Sequence, residues 1–431
     1  MTLNEIVNFL NGIAWGPWML ILLVGTGIYL SVRVGFIQFA KFGYVMKNTL
    51  GKLFKKQSAG DGEVTPFQAL ATALAATVGT GNIAGVTGAI AVGGPMYYIR
   101  NGLGKKWNWL AVLFSLLGAL AAFGIGNMTQ VNTIAGSINN AIDAFGGNTA
   151  ANSFEVFGQM VPFSSVIIGG IVAFIVALTL FGGVKRIGTV TERLVPVMAL
   201  IYILCALCVV FTNLGSVGKV FAMIFQGAFN AEAALGGAFG ITIMTTIQKG
   251  VGRGVFSNEA GLGSAPIAHA ATSEMVPVKQ GMYGIFEVFM DTIGICPLTA
   301  LTLLCGVEAG VDITWGQSAG AELIAASFAT VFGDKIGALI VAMGIGLFAL
   351  TTILSWSLYG TRCFEFLFKG KGVGVFQTIF VAVIVIGATL KLDLVWNIAD
   401  TLNGFMAIPN LVALLGLSGV VIKLTKEYFQ K

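Results

Sequence analysis

Glycine, threonine and asparagine interrupt an apolar segment of the chain between residues 75 and 85. Gly79, Gly81 and Gly85 fall within seven positions, and each glycine costs an α-helix about 1 kcal/mol relative to alanine. An unwound helix leaves amides and carbonyls without partners, which a membrane tolerates only where the backbone is buried in protein or lines a water-filled cavity. The segment therefore indicates backbone groups that contact a solute, a pattern typical of secondary transporters.

Backbone groups of this kind can bind an anion and a cation side by side. The amides at the broken end of a helix carry partial positive charge and suit a carboxylate, while free carbonyls suit a cation. The predicted substrate-binding residues here are Val78, Gly79, Thr80, Gly81 and Asn82, and the predicted cation-binding residues are Ala75, Thr77 and Val78. The alternative is close helix packing through the GxxxG pair of Gly81 and Gly85.

Three more polar side chains lie inside apolar segments, where each needs a partner. Asn127 and Gln130 are three residues apart on one helix face, and their amides could meet a ligand carboxylate or ammonium, or another helix. An ionised carboxylate within a membrane segment is unfavourable and therefore indicates function. Asp291 is such a residue, and it could coordinate a cation, meet a substrate amine or carry a proton.

The composition predicts an all-α membrane protein. Of its 431 residues, 56% are hydrophobic and 10% are charged, with a mean hydropathy of +0.88, and apolar segments of about 20 residues recur throughout. The partners are therefore a lipid bilayer and a small molecule, not nucleic acid, because the net charge of +5 comes from lysines and arginines in short loops. No particular oligomeric state is predicted.

Enzyme and channel functions fit the sequence poorly. Ser257-Asn258-Glu259 and the single histidine, His269, lack a nucleophile-elbow motif, so no enzymatic activity is expected. A channel would show rings of repeated filter residues.

The positive charges predict which side of the membrane each loop faces. The C-terminal lysines place the C-terminus in the cytoplasm, and counting spans backwards puts Arg100–Lys106 there as well. Lys52–Lys56 also favour the cytoplasm, although only the segment Pro66–Val92 lies between the two basic clusters. Either that segment is re-entrant, or a spanning helix is absent between Val92 and Met96.

Long motifs carry a resemblance to a known family. These motifs are TPFQALATALAATVGTGNIAGV, GGPMYYI (Gly93–Ile99), GIGNMTQVN (Gly124–Asn132), GVGRGVFSNEAGLGSAPIAHA (Gly250–Ala270) and FEVFMDTIGIC (Phe286–Cys296). In them the chain resembles the alanine or glycine:cation symporter family. The resemblance implies sodium-coupled transport of alanine and glycine across the cell membrane, with proton coupling as an alternative.

The resemblance also implies an architecture. One domain, 1–431, would hold a LeuT-type core of two inverted five-helix repeats with broken helices, at about 63–213 and 214–425, plus an extra N-terminal helix, giving about 10–11 transmembrane helices. The family has an earlier Gly-Gly-Pro, an aromatic stretch and a helix before its Gly-Gly-Pro-Met-Tyr-Tyr, whereas here Gly93-Gly94-Pro95 runs directly into Met96. The family's second core helix is therefore expected to be missing, and a non-transporting variant is a further alternative.

By analogy with that architecture, further residues join the predicted site. Phe229 and Gly236 lie in or near a second broken segment, the glycine-containing stretch 235–240, and would line the side-chain and ammonium end of the substrate. The alternative is that the glycines of this stretch belong to a loop.

The resemblance implies that Thr351 and Thr352, with Phe348, complete a sodium site with the Ala75 and Val78 carbonyls. The alternative is that the threonine hydroxyls bond back to carbonyls of their own helix. Trp356, one turn beyond Thr352, would close a pocket for very small side chains, or it packs in the core or at the membrane interface.

Overall fold

A computed structural model of the chain describes residues 3–52, 64–76, 94–156, 159–229, 250–255, 257–259, 261–313, 321–390 and 393–430. Most of this part of the chain is α-helical. It also contains one antiparallel hairpin of β1 (Ser153–Val156) and β2 (Gln159–Pro162), which the sequence analysis did not predict.

The helices up to residue 212 are α1 (Leu3–Ala14), α2 (Pro17–Arg33), α3 (Ile37–Ala40), α4 (Phe42–Asn48), α5 (Pro66–Ala76), α6 (Pro95–Gly102), α7 (Asn108–Phe123), α8 (Thr129–Ala144), α9 (Phe163–Leu180) and α10 (Gly183–Thr212). Those that follow are α11 (Leu214–Phe229), α12 (Ala265–His269), α13 (Pro277–Phe289), α14 (Cys296–Glu308), α15 (Ala321–Phe332), α16 (Asp334–Phe368), α17 (Val373–Thr389), α18 (Asp393–Gly416) and α19 (Ser418–Phe429).

Seven helical segments of the described chain are long and apolar enough to cross a membrane. They are Glu5–Arg33, Lys105–Ala144, Phe163–Leu180, Gly183–Thr212, Pro277–Glu308, Asp334–Phe368 and Val395–Gly416. Shorter apolar helices include α5 and α17. The chain is thus a multi-pass membrane protein, as its composition predicts.

Helix α16 organises the core of the described structure. It has 35 residues and packs against α5, α7, α8 and α10. Helix α5 begins with a capping box, in which the Thr65 amide donates to Gln68 Oε1 over 3.0 Å and the Gln68 amide donates to Thr65 Oγ1 over 3.1 Å. A backbone bridge from Val64 to Thr272 ties this start to the segment after α12. The beginning of α5 is therefore fixed by its own cap and by a neighbouring segment.

Two helical segments are interrupted by π-helical turns, at Gly124–Met128 between α7 and α8 and at Met290–Ile295 between α13 and α14. Such turns are rare and frequently lie at functional sites. Each contains a predicted site residue, Asn127 in the first and Asp291 in the second.

Candidate functional site

Helices α5 and α16 meet through a pair of hydroxyl–carbonyl contacts. The Thr352 hydroxyl lies 2.8 Å from the Ala75 carbonyl oxygen, and the Ser355 hydroxyl donates to the Thr72 carbonyl oxygen over 2.6 Å. From the first contact to the second, the residue number rises by three on α16 and falls by three on α5. The two helices therefore run antiparallel. The contact brings together two predicted cation-binding residues that are 277 positions apart in the sequence.

The carbonyl of Phe348 joins this group, because its oxygen also lies 2.8 Å from the Thr352 hydroxyl. The neighbouring Thr351 hydroxyl contacts the Leu347 and Phe348 carbonyl oxygens at 3.0 and 2.9 Å, and the Met198 sulfur at 3.6 Å. Both threonines therefore make the bond to their own helix that the sequence allowed as an alternative. Thr352 makes, in addition, a contact across to α5.

Several predicted site residues lie outside the part of the chain that the structure describes. They are Thr77, Val78, Gly79, Thr80, Gly81, Asn82 and Gly236. Phe229 is the last residue of α11, and the structure describes its backbone only.

Trp356 is buried and packs directly on the first π-helical turn. A Cβ atom placed on Gly126 would lie 2.1 Å from the Trp356 Cβ, so only a glycine fits at this point. The indole is also in edge-on contact with the Tyr359 ring, with centroids 5.5 Å apart. Trp356 thus joins the α16 residues around Thr352 to the turn that carries Asn127.

Asn127, inside the π-helical turn, and Gln130, in the first turn of α8, bond different partners. The buried Asn127 amide donates to the Phe380 carbonyl of α17 over 2.7 Å, and Gln130 donates to the Ile125 carbonyl over 3.0 Å. The Asn127 Oδ1 atom is buried with no hydrogen-bond partner in the described structure. It is an acceptor available to a donor from outside this set of residues.

Asp291 occupies a separate position in the second π-helical turn. Its two carboxylate oxygens accept from the Ser257 hydroxyl over 2.9 and 3.0 Å, and the Cys296 thiol lies 3.3 Å from Oδ1. Among the described residues, no hydrogen bond joins Asp291 to Ala75 or Thr352. The structure does not bring this predicted ligand into the α5–α16 group.

A fully buried network around His269 was not predicted from the sequence. Its Nε2 lies 2.9 Å from the Glu287 carboxylate, and its Nδ1 accepts from the Gln280 amide over 2.8 Å. Burial lowers the pKa of His269 from 6.5 to about 3, so the ring is neutral and Nε2 carries the hydrogen. A hydrolytic triad would pair Ser257 with His269. Here Ser257 bonds Asp291 instead, and His269 bonds Glu287.

Thr72, Thr191 and Ser355 also extend the α5–α16 contact beyond what the sequence analysis proposed. The Thr72 hydroxyl lies 3.0 Å from the Thr191 hydroxyl of α10, one turn from the Ala75 carbonyl. The sequence contains one sign of this second contact: Thr72 and Ala75 are three residues apart, and so are Thr352 and Ser355.

Comparison with known proteins identifies related sequences along the whole chain. The model of the sodium:alanine symporter family matches residues 1–95 and again residues 91–431. The sodium/alanine symporter AgcS of Methanococcus maripaludis is 41% identical over 474 positions, covering 99% of this chain and 98% of the relative. An uncharacterized transporter of Haemophilus influenzae is 40% identical over 474 positions, covering 100% and 97%. The probable sodium/glutamine symporter GlnT of Bacillus subtilis is 33% identical over 468 positions, covering 99% and 91%.

These alignments are longer than the chain. They run over 468 to 474 positions although the chain has 431 residues, so several tens of positions in the relatives have no counterpart here. The family model is interrupted at residues 91–95, which belong to both matched parts. A spanning helix takes roughly 20 residues, so a helix missing between Val92 and Met96 stays a prediction that this difference in length allows.

Proposed function

Because the chain belongs to the sodium:alanine symporter family, we propose that it is a sodium-coupled symporter of alanine and glycine that works by alternating access. The observation that carries the proposal is the contact of the Thr352 hydroxyl with the Ala75 carbonyl. It joins an α16 side chain to the last turn of α5, next to the glycine-rich segment, which is where a midplane site requires ligands from two helices.

The chemistry of this contact suits sodium as a transported ion. Ala75, Phe348 and Thr352 offer neutral oxygens, the ligands that hard cations prefer, and without a carboxylate the site binds weakly enough for release. Val78 and Thr77 would supply further carbonyls, and Thr351 a second hydroxyl.

The substrate would lie beside the ion. Its carboxylate would be held by the amides of Gly79, Thr80 and Gly81. The free Oδ1 atom of Asn127 would suit its ammonium group, and Trp356 would limit the side chain to a hydrogen or a methyl group. Val78, Asn82, Gln130, Phe229 and Gly236 would complete the lining.

The proposal includes the LeuT-type architecture, with repeats at about 63–213 and 214–425, in the cell membrane and with a cytoplasmic C-terminus. Sodium and substrate are coupled if both stabilise the same occluded state, because each then raises the affinity of the other by the same factor.

Proton coupling is a second candidate, and the position of Asp291 favours it. The residue is 8% exposed, and its carboxylate is bonded to Ser257 instead of the α5–α16 group. In this version Asp291 carries the transported proton.

The test is uptake of labelled alanine into proteoliposomes under an inward sodium gradient or an inward proton gradient. We expect the sodium gradient to drive accumulation. Thr352→Ala removes one oxygen ligand and should raise the half-saturating sodium concentration about tenfold or more. The control is Thr302→Val, which removes a fully buried threonine hydroxyl bonded to the Leu298 carbonyl of its own helix over 2.8 Å.

Accumulation driven only by the proton gradient would show that the coupled ion is a proton and not sodium, with Asp291 as the proposed proton carrier. Equal sodium dependence in the Thr352→Ala and Thr302→Val proteins would remove Thr352 from the site.

A further inference from the structure

Hydroxyl groups continue beyond the Thr352–Ala75 contact, toward the beginning of α5. One helical turn further, the Ser355 hydroxyl contacts the Thr72 carbonyl oxygen at 2.6 Å, and the Thr72 hydroxyl lies 3.0 Å from the Thr191 hydroxyl. Thr72 is 3% exposed, and Thr191 and Ser355 are fully buried. Three helices, α5, α10 and α16, thus bring their oxygens to one level inside the protein.

These oxygens retain capacity to accept. Each hydroxyl has a single hydrogen and two lone pairs. The Thr72 hydroxyl lies 2.8 Å from the Gln68 carbonyl oxygen, and the Thr191 hydroxyl lies 3.0 and 3.1 Å from those of Ile187 and Gly188. Whenever both hydrogens point to these carbonyls, the two hydroxyl oxygens face each other at 3.0 Å with lone pairs only. A cation between them would replace that repulsion by two favourable contacts.

The level lies on the cytoplasmic side of the first site. Lys52–Lys56 precede α5, and Lys369 and Lys371 follow α16, so the positive-inside rule places the start of α5 and the end of α16 in the cytoplasm. Thr72 and Ser355 are nearer to these ends than Ala75 and Thr352.

A carboxylate lies at the cytoplasmic end of this set of oxygens. The Gln68 amide donates to the Glu192 carboxylate over 2.9 Å, and both side chains are half-buried. Gln68 lies on α5 one turn closer to its start than Thr72, and Glu192 directly follows Thr191 on α10. A negative charge at this position would attract a cation that leaves the hydroxyl level.

We propose that Thr72, Thr191 and Ser355 form a second cation-binding position, one helical turn from the first, which sodium occupies as it leaves toward the cytoplasm. The ligands are the Thr72 carbonyl and the three hydroxyls, all neutral. Such a set binds a monovalent hard cation weakly, and a chain of weak positions lets an ion leave a stronger site. The inference rests on the proposed sodium coupling.

The experiment measures sodium release and sodium affinity separately in the purified protein. Affinity is obtained from the rise in unfolding temperature with sodium at constant ionic strength, choline being the replacement ion. Release is followed by stopped-flow dilution of sodium into choline chloride, with tryptophan fluorescence as the signal. The variants are Ser355→Ala and Thr191→Val, with Thr352→Ala for the first site and Thr302→Val as the control for a lost buried hydroxyl.

We expect Ser355→Ala and Thr191→Val to slow sodium release at least about threefold while the equilibrium affinity stays within about twofold of the wild type. Thr352→Ala should weaken the affinity itself, and Thr302→Val should change neither quantity. Wild-type release rates in Ser355→Ala and Thr191→Val would overturn the inference. So would a joint loss of affinity and stability, because it would assign these hydroxyls to helix packing alone. A wild-type protein that sodium does not stabilise more than choline would contradict the proposed function and, with it, this inference.

Discussion

His269 shows how a single residue can be fixed in one protonation state by its surroundings. Gln280 donates to one ring nitrogen and also lies 3.5 Å from the Pro66 carbonyl oxygen, at the first residue of α5. The other ring nitrogen donates to Glu287. A neutral imidazole is the form that satisfies a donor on one side and an acceptor on the other. The network therefore ties α12, α13 and the start of α5 together only while His269 stays unprotonated.

The pH dependence of stability follows from the lowered pKa of His269. The folded protein keeps the ring neutral down to about pH 3, whereas the unfolded chain binds a proton below its ordinary pKa of 6.5. The contribution of His269 is therefore fully present above pH 6.5 and is lost as the pH falls from 6.5 toward 3. We expect the unfolding temperature to fall between pH 7.5 and pH 5, and to fall less in His269→Gln. Parallel pH profiles for the two proteins would show that His269 does not contribute.

At the scale of elements, the first π-helical turn packs against three other helices. Asn127 bonds α17, Gly126 contacts α16, and a Cβ at Gly124 would lie 2.3 Å from the Ala399 Cβ of α18. The turn widens the helix so that these close approaches become possible at adjacent residues.

The element-scale prediction compares two glycines of the same helical segment. Gly126→Ala forces a methyl group against Trp356 and should destabilise the protein by about 1–3 kcal/mol or more, with a clear fall in unfolding temperature. At Gly136, an exposed position in α8, a Cβ would meet nothing within 4 Å, so Gly136→Ala should be neutral or stabilising by up to about 1 kcal/mol. Thermal unfolding of the two variants measures the difference. Equal unfolding temperatures would show that the tight contact is relieved by small shifts.

Some contacts between the helices could be predicted from the sequence and others could not. The pairing of Ala75 with Thr352 was predictable, because a threonine pair in a membrane helix matched a known pattern beside a glycine-rich segment. The separate partners of Asn127 and Gln130 were not, since a π-helical turn changes the backbone hydrogen bonds without altering the apolar periodicity. The partners of His269 and Asp291 depend on which helices pack together, and neither spacing nor composition contains that information.

At the scale of the whole molecule, charge pattern and family alignment point to the same place. Two basic clusters, Lys52–Lys56 and Arg100–Lys106, favour the same side of the membrane, and the family model is interrupted at residues 91–95 between them. One additional crossing between the clusters would remove the conflict. The sequence of the relatives is long enough to supply it.

The residues that the relatives have and this chain lacks should affect transport more than sodium binding. Ala75, Phe348 and Thr352 already meet in this chain, so the ligands they supply do not depend on the missing residues. Alternating access, in contrast, requires one helical bundle to move against another, and a helix between Val92 and Met96 would add to the surface that moves. We therefore expect that inserting the corresponding segment of the Methanococcus relative between Val92 and Met96 raises sodium-driven alanine uptake at least about tenfold. Stabilisation by sodium should stay within about twofold of its value in the present chain. Equal uptake by both chains would show that the junction is compatible with full transport, whereas sodium stabilisation that appears only after the insertion would show that the site itself depends on the missing helix.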